Sequence, residues 1–113
     1  MNQDFWKYIQ QLVDTCKVVI DRPKGSTHPR YPGRMYPVDY GYLNGTNSKD
    51  GGGVDIWVGT KDNHRVEGVL CTVDLLKMDT ELKIIIDCTQ EEINEILRFV
   101  KTNQMQAIFI ENE

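Results

Sequence analysis

The sequence predicts a mainly β fold of the α+β class: a small, largely antiparallel barrel or sheet with one helix near the N-terminus and one late helix. Two observations predict it. Apolar residues recur at three- and four-residue intervals only towards the two ends of the chain. Between them lie short β-branched runs, preceded by a stretch, residues 17–53, that holds all four prolines and seven of the nine glycines. Few helices survive such a stretch, whereas short strands and structured loops do.

Taken in order, residues 4–16 place Phe5, Tyr8, Ile9, Leu12, Val13 and Cys16 on one helical stripe, with Asp4 or Asn2 as the N-cap. This helix, with Phe5, Trp6 and Tyr8, is a candidate contact between subunits, but packing on its own sheet is the more ordinary role. Val54, Ile56 and Val58 alternate with Asp55 and Trp57, the pattern of a two-faced strand. Residues 67–76 form a second β-rich run, with Val69, Cys71 and Val73 on one side. Three consecutive isoleucines within residues 83–87 predict a strand buried on both faces. Thr89-Gln90-Glu91-Glu92 is a capping box, in which the Thr89 hydroxyl and the Glu92 carboxylate satisfy reciprocal backbone amides. The helix it opens is expected to bury Ile93, Ile96, Leu97 and Val100, and residues 107–110 read as a closing strand. Residues 1–113 are expected to form a single domain.

Composition narrows the function. With 13 Lys+Arg against 17 Asp+Glu, the net charge is −4, and an acidic chain is a poor general binder of nucleic-acid backbones. No apolar run approaches the roughly 18 residues of a membrane helix, and the start of the chain lacks the pattern of a signal peptide. Cys16, Cys71 and Cys88 are widely spaced and include no CxxC pair. That argues against a disulfide framework or zinc site and for a reducing, cytoplasmic setting.

Three segments could carry chemistry. Residues 21–34 hold Arg22, Lys24, Arg30, Arg34 and His28 on a Pro- and Gly-stiffened stretch with little to bury. Such cations could converge on a multivalent anion such as a phosphate, Arg as a bidentate fork and Lys as a point charge; a solvated loop is the alternative. Asp50 and Asp55 bracket three glycines, and a carboxylate in an apolar strand needs a partner or a hard cation; an Asp-Gly hairpin turn is the alternative there. If residues 77–83 are extended, Lys77, Asp79, Glu81 and Lys83 share one face, opposite Met78 and Leu82. That face suits metal plus phosphate, or simply an exposed hairpin of alternating charge. No nucleophilic triad and no GxxxxGK[ST] loop is present.

Tyr36-Pro37-Val38-Asp39-Tyr40-Gly41-Tyr42, followed by Asp50-Gly51-Gly52-Gly53-Val54-Asp55-Ile56, resembles the soluble, Mg²⁺-dependent (family I) inorganic pyrophosphatases. Upstream, Val18 to Ser26 is similar to the family's strand ending in Glu-Ile-Pro-Lys-Gly-Ser; downstream, Leu76-Lys77-Met78-Asp79 is similar to the stretch bearing its next metal aspartates. The likeness covers roughly residues 18–83, in order. It implies a closed five-stranded barrel of the oligonucleotide-binding type and Mg²⁺-dependent hydrolysis of pyrophosphate or a related phosphoanhydride. It also implies a homo-oligomer. By position it makes Asp50 and Asp55 metal ligands, Asp79 a third acidic member, and Asp21 the equivalent of a metal-site Glu. Arg30 falls at a phosphate-binding Lys, Arg34 at a phosphate-binding Arg, Tyr40 at a phosphate-contacting Tyr, and Lys83 at a basic residue lining the cavity. Lys24 belongs to the phosphate-binding segment.

The chain also departs from that pattern. Gly52 stands in place of the middle Asp, which in the family helps activate water, and Gly53 in place of Pro. Pro32 replaces a second Glu. The loop after Asp79 is shorter, so the next metal Asp is either missing or replaced by Glu81 with displaced geometry, and Asp39 supplies a carboxylate where Asn is usual. Residues 89–113 bear no likeness to the family. The implied chemistry is metal-assisted phosphoryl transfer to water. Loss of an oriented base costs such a reaction about two to four orders of magnitude. The implied alternative is therefore a pocket that keeps a phosphate-rich ligand without turnover.

Overall fold

Ile84, Ile85 and Ile86 are at most 1% exposed, and because successive strand side chains point to opposite faces, both faces of their sheet must be covered. The computed structural model, which describes residues 3–48 and 51–113, supplies a cover for each. The elements run α1 (Gln3–Thr15), β1 (Lys17–Arg22), β2 (Asp39–Asn44), β3 (Val54–Val58), β4 (Val66–Asp74), β5 (Asp79–Ile86), α2 (Gln90–Val100) and β6 (Met105–Glu111). The strands form one sheet in the order β1-β2-β3-β5-β4-β6. All neighbours are antiparallel except β3 and β5, which pair in parallel from Ile56↔Ile84 to Val58↔Ile86.

The closed five-stranded barrel is therefore not what forms. The sheet is open and has six strands, with β1 and β6 at its edges. The reason lies in the C-terminal segment: β6 pairs along β4 from Gly68↔Glu111 to Asp74↔Met105 and takes up the edge that closure would have needed.

On one face α1 turns Trp6, Ile9 and Val13 inward, a spacing of three and four residues, onto Leu43, Ile56, Val69, Ile84 and Ile86. The helix expected from sequence is present and packs on the sheet, but its phase differs. Phe5, Tyr8 and Leu12 are exposed, Tyr8 by 75%. Asp4 lies within the first turn, not before it, and Asn2 lies outside the described residues. Cys16 and Cys71 pack at the margin of this core.

On the other face α2 buries Ile93, Ile96 and Val100 against Trp57, Leu70, Ile85 and Ala107, with Leu97 only partly buried. Its start has the capping box read from sequence: the Glu92 amide donates to Thr89 Oγ1 (3.2 Å) and the Thr89 amide to Glu92 Oε1 (2.9 Å). Glu92 Oε1 also accepts from the Thr60 amide (3.2 Å), tying α2 to the loop after β3.

The Pro-rich stretch between β1 and β2 folds back on itself through a Thr27↔Met35 bridge and main-chain bonds from Gly25 to Tyr36 and from His28 to Arg34. It brings Tyr36 and Val38 into the α2-side core. Gly41 explains how β1 fits: a Cβ there would lie 1.8 Å from the Val19 carbonyl oxygen, so only glycine lets β1 approach. One residue of β1 is left over at a bulge between Ile20 and Arg22.

Candidate functional site

Pairing register decides which polar side chains meet. Tyr42 pairs with Asp55 and Tyr40 with Trp57, and the parallel ladder sets Lys83 beside Asp55, one step before Ile84 and Ile56. Alternation keeps Asp79 and Glu81 on the face of Lys83, as expected from sequence. Met78 falls in the preceding turn, and Leu82 faces the α1 side.

The three ligands of the Lys83 ammonium make this register concrete. Nζ donates to Asp55 Oδ2 at 2.6 Å, to the Tyr40 hydroxyl at 2.8 Å and to Glu81 Oε2 at 3.2 Å. The Lys83 side chain is 13% exposed, so these are charge-assisted bonds in a partly water-excluded setting. Burial works against the ammonium, but the Tyr40 oxygen and the Asp55 carboxylate more than restore it, and its pKa lies above the ordinary lysine value. Burial likewise raises the Tyr40 phenol, against the opposing pull of Lys83. At neutral pH the lysine of the cluster is charged and its tyrosine neutral.

Tyr40 and Lys83 lie on the wall of a cavity of about 590 Å³. Its other walls are the Pro-rich loop, the turn after β4, the last turn of α2 and the segment leading into β6. Arg30, Arg34 and Lys77 join Lys83 in lining it, as does His28. Arg34 lies over the Phe99 ring at 4.6 Å, and His28 stacks parallel to Tyr36 with ring centroids 6.0 Å apart. Burial, then the charges of Arg34, Arg22, Arg30 and Lys77, lower the His28 pKa. Asp74 also lines the cavity, but its Oδ1 already accepts the Leu76 and Lys77 amides at 2.9 and 3.1 Å. The excess in the cavity is therefore positive.

Of the residues singled out from sequence, the structure gathers Arg30, Arg34, Tyr40 and Lys83 around this cavity, with Asp55 and Glu81 behind Lys83. Asp79 is on the same face, opposite Asp74 in the ladder. Asp21 is exposed at the β1 bulge, and Lys24 is exposed in the turn after it; neither lines the cavity. Asp39 is turned to the backbone, where Oδ1 accepts the Lys24 amide at 2.8 Å. It closes the loop, on the opposite side of β2 from Tyr40. Asp50 lies outside the described residues.

The described donors do not fit a magnesium ion. Among the described residues no three His, Cys, Asp or Glu side chains group so as to hold a metal. Asp55 and Glu81 both accept from the Lys83 ammonium.

Sequence reasoning missed the far wall: Phe99, Asn103, Gln104 and Met105. Only the helical spacing of Phe99 from Ile96 hinted at an inward position. It also left unassigned Trp57, which is 1% exposed and whose indole Nε1 has no hydrogen-bond partner among the described residues.

By sequence the chain matches no protein-family model, and no curated protein matches it significantly. Solved structures do resemble it. The inorganic pyrophosphatase of Helicobacter pylori superposes with a TM-score of 0.59 at 19% identity, over 83% of this chain and 81% of that one. An inorganic pyrophosphatase from Coxiella burnetii gives 0.57 at 15% identity, covering 83% and 84%. A structure titled an inorganic phosphatase, from Anaplasma phagocytophilum, gives 0.54 at 17% identity, covering 83% and 81%. The chain has the fold of inorganic pyrophosphatases, carried on an open six-stranded sheet.

Proposed function

We propose that this protein binds a small phosphate-rich anion of the pyrophosphate class in the cavity between the Pro-rich loop and the end of α2. One observation carries the reading: in a chain of net charge −4, Arg30, Arg34, Lys77 and Lys83 line a single cavity together with His28. Convergent guanidinium and ammonium groups suit clustered phosphate oxygens, and the fold-level likeness to pyrophosphatases supports the same ligand class. The test is calorimetric titration of pyrophosphate at low and high salt, with Arg34→Ala as the variant. Binding that weakens with salt and falls at least about tenfold in the variant is expected; undetectable binding to the wild type removes the proposal.

A second reading, hydrolysis of the bound phosphoanhydride, is favoured by Asp55, Asp79 and Glu81 sharing the face of Lys83. Its assay is phosphate release from pyrophosphate with and without added magnesium, comparing wild type, Asp55→Asn and Gly52→Asp. Magnesium-dependent release that collapses in Asp55→Asn establishes it, and a large gain in Gly52→Asp identifies the missing base. Association of copies of the chain and a cytoplasmic setting belong to this proposal too. The free thiols at Cys16, Cys71 and Cys88 go with the latter.

A further inference from the structure

The cavity has two chemically different halves, and pyrophosphate addresses only one. Arg30, Lys77 and Lys83 supply point and forked charge, whereas Tyr31, Tyr36 and Phe99 supply ring faces. A bare diphosphate carries no flat or apolar surface for such a wall. Tyr31 is 46% exposed beside His28 at 5.0 Å, and the partly buried Phe99 packs on the buried Tyr36 at 4.8 Å, which fixes its ring at the cavity wall. Arg34 joins the halves, since its guanidinium covers Phe99 at 4.6 Å while its N–H groups remain a fork for phosphate. At the same rim the exposed amides of Asn103 and Gln104 each offer a donor and an acceptor. The volume, about 590 Å³, is that of a site for an organic ligand of moderate size.

We infer that the ligand is a nucleoside diphosphate, its phosphates held by the cationic half and its base laid against the exposed Tyr31 ring, beside the Arg34 guanidinium that Phe99 supports. The inference rests on the phosphate-binding reading above and names the ligand within it. Base–aromatic stacking is tolerant of base identity, so ADP is a suitable probe.

Calorimetry with ADP and with pyrophosphate, at one ionic strength, tests it, with Trp57 fluorescence as a second readout. ADP is expected to bind about ten- to a hundred-fold more tightly than pyrophosphate. Tyr31→Ala, at an exposed position, and Phe99→Leu, which keeps bulk, should each shrink the ratio of ADP to pyrophosphate affinity about tenfold. Pyrophosphate binding with ADP no tighter, or variants that leave the ratio unchanged, overturn this inference and spare the phosphate site. If neither compound binds, both readings fall.

Discussion

On the α1 side of the sheet β5 offers Ile84 and Ile86 to a helix that buries Trp6, Ile9 and Val13. On the α2 side the same strand offers Glu81, Lys83 and Ile85, and the same neighbours offer Tyr40, Asp55 and Trp57. Half of that second face is core and half is cavity wall. The comparison teaches how a chain this short holds both a core and a site: two-residue periodicity lets one strand anchor the fold through one set of side chains and present charge through the next. It also explains why the ammonium of Lys83 is so closely held. Ile84, next to it in sequence, is fully buried in the opposite core, which leaves the lysine little freedom to drift.

Substitutions can break this comparison, the most damaging being Gly41→Ala. Its methyl would meet the Val19 carbonyl at 1.8 Å, so β1 must leave β2 and both faces suffer. A loss above about 4 kcal/mol is expected, read from the urea midpoint. A variant with near wild-type stability would show that β1 is not held as described. Next, Ile84→Ala removes a side chain that is 0% exposed on the α1 side and should cost about 3 kcal/mol while pyrophosphate affinity is largely kept. Lys83→Met inverts that outcome. It leaves Asp55 and Glu81 facing one another without a cation, so pyrophosphate binding should be lost for a stability change of about 1–3 kcal/mol. Thermal denaturation paired with calorimetry separates the two. Equal effects on both quantities would refute the division of labour between the faces.

Smaller effects sharpen the picture at the ends of elements. Burial alone would raise the Glu92 pKa, but its bonds from the Thr89 and Thr60 amides outweigh burial and lower it from the ordinary 4.5. A carboxyl depressed in the folded state adds stability that is fully present above its unfolded-state value and is lost as pH falls through the folded-state value. Denaturation followed from pH 6 downward should therefore decline below about 4.5, less steeply in Glu92→Gln. Thr89→Ala should cost about 1 kcal/mol at all pH values. Met78, in the turn before β5, has φ 56° and is 81% exposed. Met78→Gly should relieve that left-handed backbone and stabilise by up to about 1 kcal/mol; destabilisation would mean that the turn depends on the side chain.

The local features were the legible ones. The Thr89–Glu92 box, the doubly buried isoleucines and the gathering of Tyr40, Asp55 and Lys83 follow from spacings within a few residues or from a motif. The stripe of α1 was legible only in part: Ile9 and Val13 lie on it and are buried, but Phe5, Tyr8 and Leu12 are exposed and Trp6 takes their place, because only the sheet chooses among adjacent apolar positions. Closure of the barrel was misjudged for a similar reason. Whether an edge is free depends on where β6 docks, and that is a contact between segments more than thirty residues apart. Asp39 illustrates a third limit. A carboxylate near a phosphate-like motif reads as chemistry, yet a backbone amide in a tight loop is an equally good partner. In the same way, sequence spacing does not show that the Lys83 ammonium bonds both Asp55 and Glu81.

The parallel pairing of β3 with β5 has a consequence for how the protein comes into being. Asp55 and Lys83 are separated by 28 positions, and the only route from one to the other runs through β4, which must first fold back along β5. No isolated hairpin contains both ends of this ion pair, so loop closure has to be met before the attraction contributes. The cavity is thus a late product of assembly, and a nascent chain that has emerged only as far as β4 carries the Arg-rich loop without the lysine that completes its wall.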